Sequence, residues 1–240
     1  MRILAFESSA KAASVALLED GVLLGECFEN NGKTHSATLM PMAEGLLRDC
    51  GVTPADLHYI AVAKGPGSFT GVRIGVSAAK GLGWAAEKPL LGVSTLEAMA
   101  FQMRHLSGVI CPVMDARRAQ VYNALFRSDG RSLTRLTEDR AISLEDLGVQ
   151  LKNVKMPIFL VGDGAGLCYN TLGGLDLILP PSHLAQQRAS GVAMAAMEMA
   201  ARGEGIPAAE LAPNYLRLSQ AERERLRRLE MESETLKGDS

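Results

Sequence analysis

The stretch Ile3-Leu4-Ala5-Phe6-Glu7-Ser8-Ser9-Ala10-Lys11-Ala12-Ala13-Ser14-Val15-Ala16-Leu17-Leu18 sets the reading of the whole chain. Ile3–Phe6 reads as a buried strand, and the small polar residues of Glu7–Ala13 turn the chain back into a second strand at Ser14–Leu18. Glu19-Asp20-Gly21 turns it again into Val22–Phe28, so three strands follow one another through two tight turns. A helix is expected from Ser36 to Cys50, closed by Gly51, because Leu39, Met42, Ala43, Leu46 and Leu47 recur at helical spacing. Tyr59–Ala63 reads as a strand entering the loop Gly65-Pro66-Gly67-Ser68-Phe69-Thr70, and a helix follows over Gly71–Ala86. Leu90–Val93 is a short strand, after which Ser94 and Glu97 form a capping box that opens another helix.

The second half repeats this layout. Val109–Met114 and Ala119–Phe126 read as strands around the turn Asp115-Ala116-Arg117, with a further turn at Ser128-Asp129-Gly130 and a strand at Leu133–Thr137. A short helix after Ser143, the strand Ile158–Val161, a helix, the strand Leu175–Leu179 and a helix over Ala189–Arg202 complete it. The pattern predicts an α/β fold of two lobes, 1–104 and 105–217, each a mixed sheet with an antiparallel edge flanked by helices. A duplicated unit of this kind resembles the two-lobed, ribonuclease H-like plan of the actin/Hsp70/sugar-kinase (ASKHA) ATPase superfamily. Residues 218–240 form a separate charged tail: from Arg217 onward there are six basic and six acidic side chains, dense between Gln220 and Glu234. That tail is expected as a solvated helix, with partner docking as its other reading.

Composition narrows the function. The 240 residues carry a formal net charge of -2, with 47% apolar and 5% aromatic side chains. A protein gripping RNA by itself would carry a basic face, so any RNA-related role is expected to pass through a partner. Cys27, Cys50, Cys111 and Cys168 are scattered without a CxxC pair, and His35, His58, His105 and His183 fit no ligand spacing. Neither a metal nor a disulfide framework is expected. The opening turns acidic at Glu7, too early for a signal-peptide core, and no later run has the length of a membrane span, so a cytoplasmic protein is expected.

The candidate contacts for a ligand lie in the turns. Gly65, Gly67 and Ser68 stand between a strand and a helix, where backbone N–H groups could receive a phosphate or simply make a tight turn. The loop lacks the lysine and spacing of a Walker A motif. Ser8 and Ser9 in the first hairpin, Asp115 in the second, and Gly162, Asp163 and Gly164 after a strand are the other candidate nucleotide contacts; each also has a reading as a turn or cap residue. Gly71, Gly75, Ala79 and Gly83 recur every four residues and would let a helix approach closely, either this protein's own sheet or a partner.

The run Ala63-Lys64-Gly65-Pro66-Gly67-Ser68-Phe69-Thr70-Gly71-Val72-Arg73-Ile74-Gly75 resembles the signature of the TsaB (YeaZ) family. So do Ile3-Leu4-Ala5-Phe6-Glu7-Ser8-Ser9, Gly92-Val93-Ser94-Thr95-Leu96-Glu97, Met114-Asp115-Ala116-Arg117 and Pro213-Asn214-Tyr215-Leu216-Arg217, in the family's order. The resemblance implies a non-catalytic subunit needed to make threonylcarbamoyladenosine in tRNA. It implies the catalytic paralogue TsaD and the small ATPase TsaE as partners, with TsaC acting upstream and tRNA reached indirectly. ATP or ADP is implied, if anywhere, only at the interface of the complex. It further implies that the two helices of the first half form the paralogue interface, and a homodimer in isolation. Leu39, Met42, Ala43 and Leu46 of one helix and Gly71, Val72, Gly75, Val76, Ala79 and Gly83 of the other are then the expected interface residues. In the paralogue two metal-binding histidines stand four residues apart; the matching positions here are Thr95 and Met99, a poor ligand for a transition metal and a soft thioether. The rival expectations are an autonomous ATPase or kinase of the same fold, and a metalloprotease of the older "glycoprotease" label.

Overall fold

The computed structural model describes residues 1–217, and the tail reading at 218–240 lies outside them. The first half runs β1 (Arg2–Glu7), β2 (Ala13–Glu19), β3 (Val22–Glu29), α1 (His35–Asp49), β4 (Tyr59–Ala63), α2 (Phe69–Ala85), β5 (Leu90–Val93) and α3 (Thr95–Gln102). The second runs β6 (Ser107–Asp115), β7 (Gln120–Asn123), β8 (Phe126–Asp129), β9 (Leu133–Arg135), β10 (Arg140–Ser143), α4 (Leu144–Leu151), β11 (Ile158–Val161), α5 (Ala165–Thr171), β12 (Leu177–Ile178) and α6 (Ala189–Ala201).

The duplication is visible in the strand orders. The first sheet is β3-β2-β1-β4-β5 and the main path of the second is β10-β7-β6-β11-β12. In each, the opening strand pairs antiparallel with the strand after its hairpin and parallel with a later strand; β1 pairs so with β2 and β4, and β6 with β7 and β11. Alternation then sorts the side chains. Leu4 and Phe6 face the core under α1 and α2, while Ile3 and Ala5 face the core under α6.

One expected strand needed correction. The single strand expected at Ala119–Phe126 is two, β7 and β8, which pair with the far and near ends of β6. The break falls where Asn123 is fully buried and its amide donates to Pro112 O and Ala124 O at 3.0 and 3.1 Å. β10, which pairs antiparallel with β7, was not foreseen. Two helices pack across the division expected at residue 104. α6, from the second half, covers the first sheet through Ala189, Val192, Ala193 and Ala196. α3, from the first half, packs Leu96, Met99 and Ala100 against Ile110 and Met114 of β6. An apolar helix surface goes where an uncovered sheet face is, whatever its place in the sequence.

Candidate functional site

The two hairpins, 7–13 and 115–120, face each other across a cleft of about 490 Å³. Of the expected ligand contacts, Ser9, Gly67, Ser68, Asp115 and Asp163 line it. Ser8, Gly65, Gly162 and Gly164 do not line it, and each has a packing role instead. Ser8 is buried and its hydroxyl donates to Gly71 O at 2.9 Å. Gly65 has φ +113 and lies against the backbone of Asn214, a place no side chain fits. Gly162 and Gly164 lie against the backbone of Val113 and Met114. All four sit in tightly packed turns.

The floor of the first hairpin is Glu7. It is 0% exposed, its Oε1 accepts from Ser9 N at 2.6 Å, and its Oε2 has no partner among the described residues. Burial disfavours the charged carboxylate and pushes its pKa up to about 7, with Asp163 adding repulsion against the hydrogen bonds from Ser9. Asp163 is itself raised, first by desolvation and then by the charge of Asp115, although Gln187 Nε2 donates to its Oδ1 at 2.8 Å. Asp115 caps its own turn, accepting from Arg117 N at 2.7 Å. The turn that follows holds Arg117, Arg118 and Ala119 at φ 63, 57 and 55. Among the described residues no group of three or more His, Cys, Asp or Glu side chains is arranged to hold a metal ion.

Thr95 and Met99 are both 0% exposed. Thr95 N donates to Gly65 O at 2.9 Å, fastening α3 to the glycine loop, while its hydroxyl has no partner among the described residues. Met99 belongs to the core between α3 and β6, and its sulfur lies beside Gly162. The two residues are one helical turn apart and are core side chains. Ser94 caps α3 by accepting from Glu97 N at 3.3 Å, but Glu97 pairs with Arg135 at 3.0 Å rather than reaching back, so the capping box is only half formed.

The residues expected at a partner interface need a correction of face. Leu39, Met42, Ala43, Leu46, Val72, Val76 and Ala79 are buried in the core under the first sheet. Gly71 and Gly75 press against Ser8, and Gly83 against Leu90. The four-residue glycine spacing serves this chain's own hairpin and sheet, where a Cβ would have no room. The outward face of α2 instead presents Thr70, Arg73, Ser77, Gly81 and Trp84, with Ile74 and Ala78 half-buried. Trp84 is 82% exposed. Between α1 and α2 a groove of about 320 Å³ is lined by His35, Met40, Arg73, Ile74 and Ala78, among others. A strap the sequence reading gave no role, residues 213–217, borders the cleft with Asn214, Tyr215 and Arg217. Its signal in the sequence is the motif Pro213-Asn214-Tyr215-Leu216-Arg217, which carries the family resemblance without pointing to a contact.

No helix among the described residues is long and apolar enough to cross a membrane. The family model described as TsaD, tRNA N6-adenosine threonylcarbamoyltransferase, matches residues 29–224. The tRNA threonylcarbamoyladenosine biosynthesis protein TsaB of Bacillus subtilis is 36% identical over 225 residues, covering 92% of this chain and 96% of that protein. TsaB of Escherichia coli is 32% identical over 220 residues, covering 90% and 95%. A crystal structure of a Pseudomonas aeruginosa protein described as similar to peptidase YEAZ superposes with a TM-score of 0.80 at 30% identity, covering 90% of this chain and 99% of that one. The relatives match nearly end to end, and the fold is the two-lobed one they share: the chain belongs to the TsaB (YeaZ) family of the actin-like superfamily.

Proposed function

We propose that this chain is a non-catalytic partner subunit in the formation of threonylcarbamoyladenosine in tRNA, and that it works by binding its catalytic TsaD-type paralogue. The observation that carries the reading is the state of Thr95 and Met99. At the positions matching the paralogue's histidine pair, this chain has a buried hydroxyl and a buried thioether that fill its own core. An i,i+4 pair on a helix directs two side chains at one point, which suits a metal when both are histidines. Neither Thr95 nor Met99 offers an imidazole nitrogen, so the metalloprotease reading loses its chemistry. The names of the full-length relatives support the tRNA pathway over an autonomous ATPase or kinase.

In this reading TsaE joins the same complex, tRNA is reached through the catalytic subunit, and the isolated chain pairs with itself. The surface we assign to the paralogue is the outward face of α1 and α2, with Met40, Ile74, Ser77, Ala78, Gly81 and Trp84. Small residues let a partner helix approach closely, and an exposed tryptophan beside an apolar groove is a surface that association would cover. The test is to mix the chain with its purified paralogue and measure mass by light scattering. A one-to-one complex that forms at the expense of any homodimer is expected; two proteins that elute at their separate masses at micromolar concentration would remove the reading.

A further inference from the structure

Arg73 faces two ways. On one side it lines the α1–α2 groove, whose lining contains no carboxylate, and it makes no ion pair among the described residues. On the other its Nε donates to the Tyr215 hydroxyl at 3.0 Å, and its guanidinium lies 4.3 Å from the centre of the Phe69 ring. Tyr215 in turn stacks on Phe69, with centroids 4.5 Å apart. Asn214 N donates to Lys64 O at 2.6 Å, and two residues beyond Tyr215 the Nη1 of Arg217 donates to Ala116 O at 2.7 Å. Residues 213–217 therefore tie α2 to the second hairpin along the border of the cleft. That hairpin continues through three successive non-glycine residues in the left-handed region, Arg117 to Ala119, a conformation that L-residues hold only against a steric cost. A contact on Ala116 O immediately before them helps hold the strained turn.

We propose that Arg73 is a shared contact, through which a carboxylate-bearing segment of a partner seated in the α1–α2 groove releases the 213–217 strap and loosens the second hairpin at the cleft. The inference rests on the partner surface assigned above. A carboxylate binds a guanidinium through two charge-assisted hydrogen bonds, whereas the phenol of Tyr215 accepts a single one. A carboxylate that docks side-on, across Nε and Nη2, takes the Nε–H that Tyr215 now accepts, and Tyr215 keeps only its stacking on Phe69. The occupant is argued from charge: the groove offers an apolar floor with a cation at its edge, which fits an apolar helix or strand carrying Asp or Glu. Coupling of this kind needs a demonstrated effect at both ends.

Native-state hydrogen exchange on the full chain supplies that, read at Asn214, Ala116 and Gln120, with Leu4 in β1 as the control for folding. Ala116 N bonds to Gln120 O at 3.0 Å and Gln120 N to Arg117 O at 3.2 Å, so both amides report on the hairpin. Arg73→Ala is expected to speed exchange about two- to tenfold at all three amides, the effect of one net hydrogen bond, and to leave Leu4 unchanged. Arg217→Ala is expected to speed Ala116 and Gln120. Faster exchange at Asn214 alone, or at none of the three, overturns the relay. In a second arm, saturating catalytic paralogue is expected to speed exchange at the same amides, and increased protection there overturns release by docking. If the paralogue does not bind, the partner surface fails and the docking half with it, while the Arg73→Ala arm decides the relay by itself.

Discussion

Gly75 of α2 lies so close to Ser8 of the first hairpin that a methyl group at Gly75 would land on the Ser8 hydroxyl. That hydroxyl is already held by Gly71 O, one turn earlier on the same helix. The contact fixes which way α2 faces: its four-residue glycine spacing is turned inward, and Arg73, Ser77, Gly81 and Trp84 are turned out.

Two glycines of one helix should therefore respond in opposite directions. Gly75→Ala is expected to destabilise by about 1–3 kcal/mol through overpacking against Ser8. At Gly81 an added Cβ meets nothing within 4 Å among the described residues, so Gly81→Ala should stabilise by roughly 0.5–1 kcal/mol through helix propensity. Urea unfolding of both variants checks this, and equal effects would contradict the assigned orientation of α2.

Glu7 should give the fold a pH dependence. Its pKa is raised from 4.5 to about 7 in the folded protein, so the folded state holds this proton more tightly than the unfolded chain. The contribution is present below about pH 4.5 and is lost as pH rises through about 7. The advantage of Glu7→Gln over the unsubstituted chain should then grow between pH 4.5 and pH 8, by up to about 3 kcal/mol for a shift of this size. A difference that stays flat across that range would mean that the carboxylate is not desolvated.

Trp84 is the chain's only tryptophan and is 82% exposed, so its fluorescence reports on the outward face of α2. Docking of the paralogue is expected to shift emission to shorter wavelength as water leaves the indole. Ser77→Arg, at an exposed position of the same face, should weaken association at least about tenfold by leaving an unpaired charge at the interface, with unchanged circular dichroism. Wild-type affinity for that folded variant would move the interface elsewhere.

Much of this architecture can be read from the residues. The short apolar run Ile3–Phe6 and the turn chemistry of Glu19-Asp20-Gly21 are local signals, and signals of this kind place β1, β2, β3, β4, β5 and β11 within two residues of their ends. What the sequence did not show is non-local. β10 is a strand because β7 offers it an edge, and α6 covers the first sheet because that face is left only partly covered by Ala98 and Phe101 of α3. Gly71, Gly75 and Gly83 have the spacing of an interface, and only tertiary packing tells which side of the helix needs the room. At the cleft, Ser9, Gly67, Ser68, Asp115 and Asp163 were marked by turn composition. Tyr215 and Arg217 were not, since their role depends on Phe69, Arg73 and Ala116, 100 or more residues away.

Thr95 and Met99 should behave as core residues in every assay. The Thr95 hydroxyl is buried without a partner among the described residues, so Thr95→Val is expected to be neutral or to stabilise by up to about 1 kcal/mol. Met99→Leu conserves volume and should cost less than about 1.5 kcal/mol. Neither should alter the activity of a reconstituted complex, and a loss of activity in a stable variant would give these positions a role beyond packing.

The measurement that bears most directly on the partner-subunit reading is a reconstituted threonylcarbamoylation assay on tRNA, run with the catalytic paralogue and the other pathway proteins, with this chain present or omitted. Modified adenosine should form only when the chain is added, reach its plateau rate at one chain per paralogue, and never form when the chain replaces the paralogue. Full activity without the chain, or modification by the chain in place of the paralogue, would contradict the account.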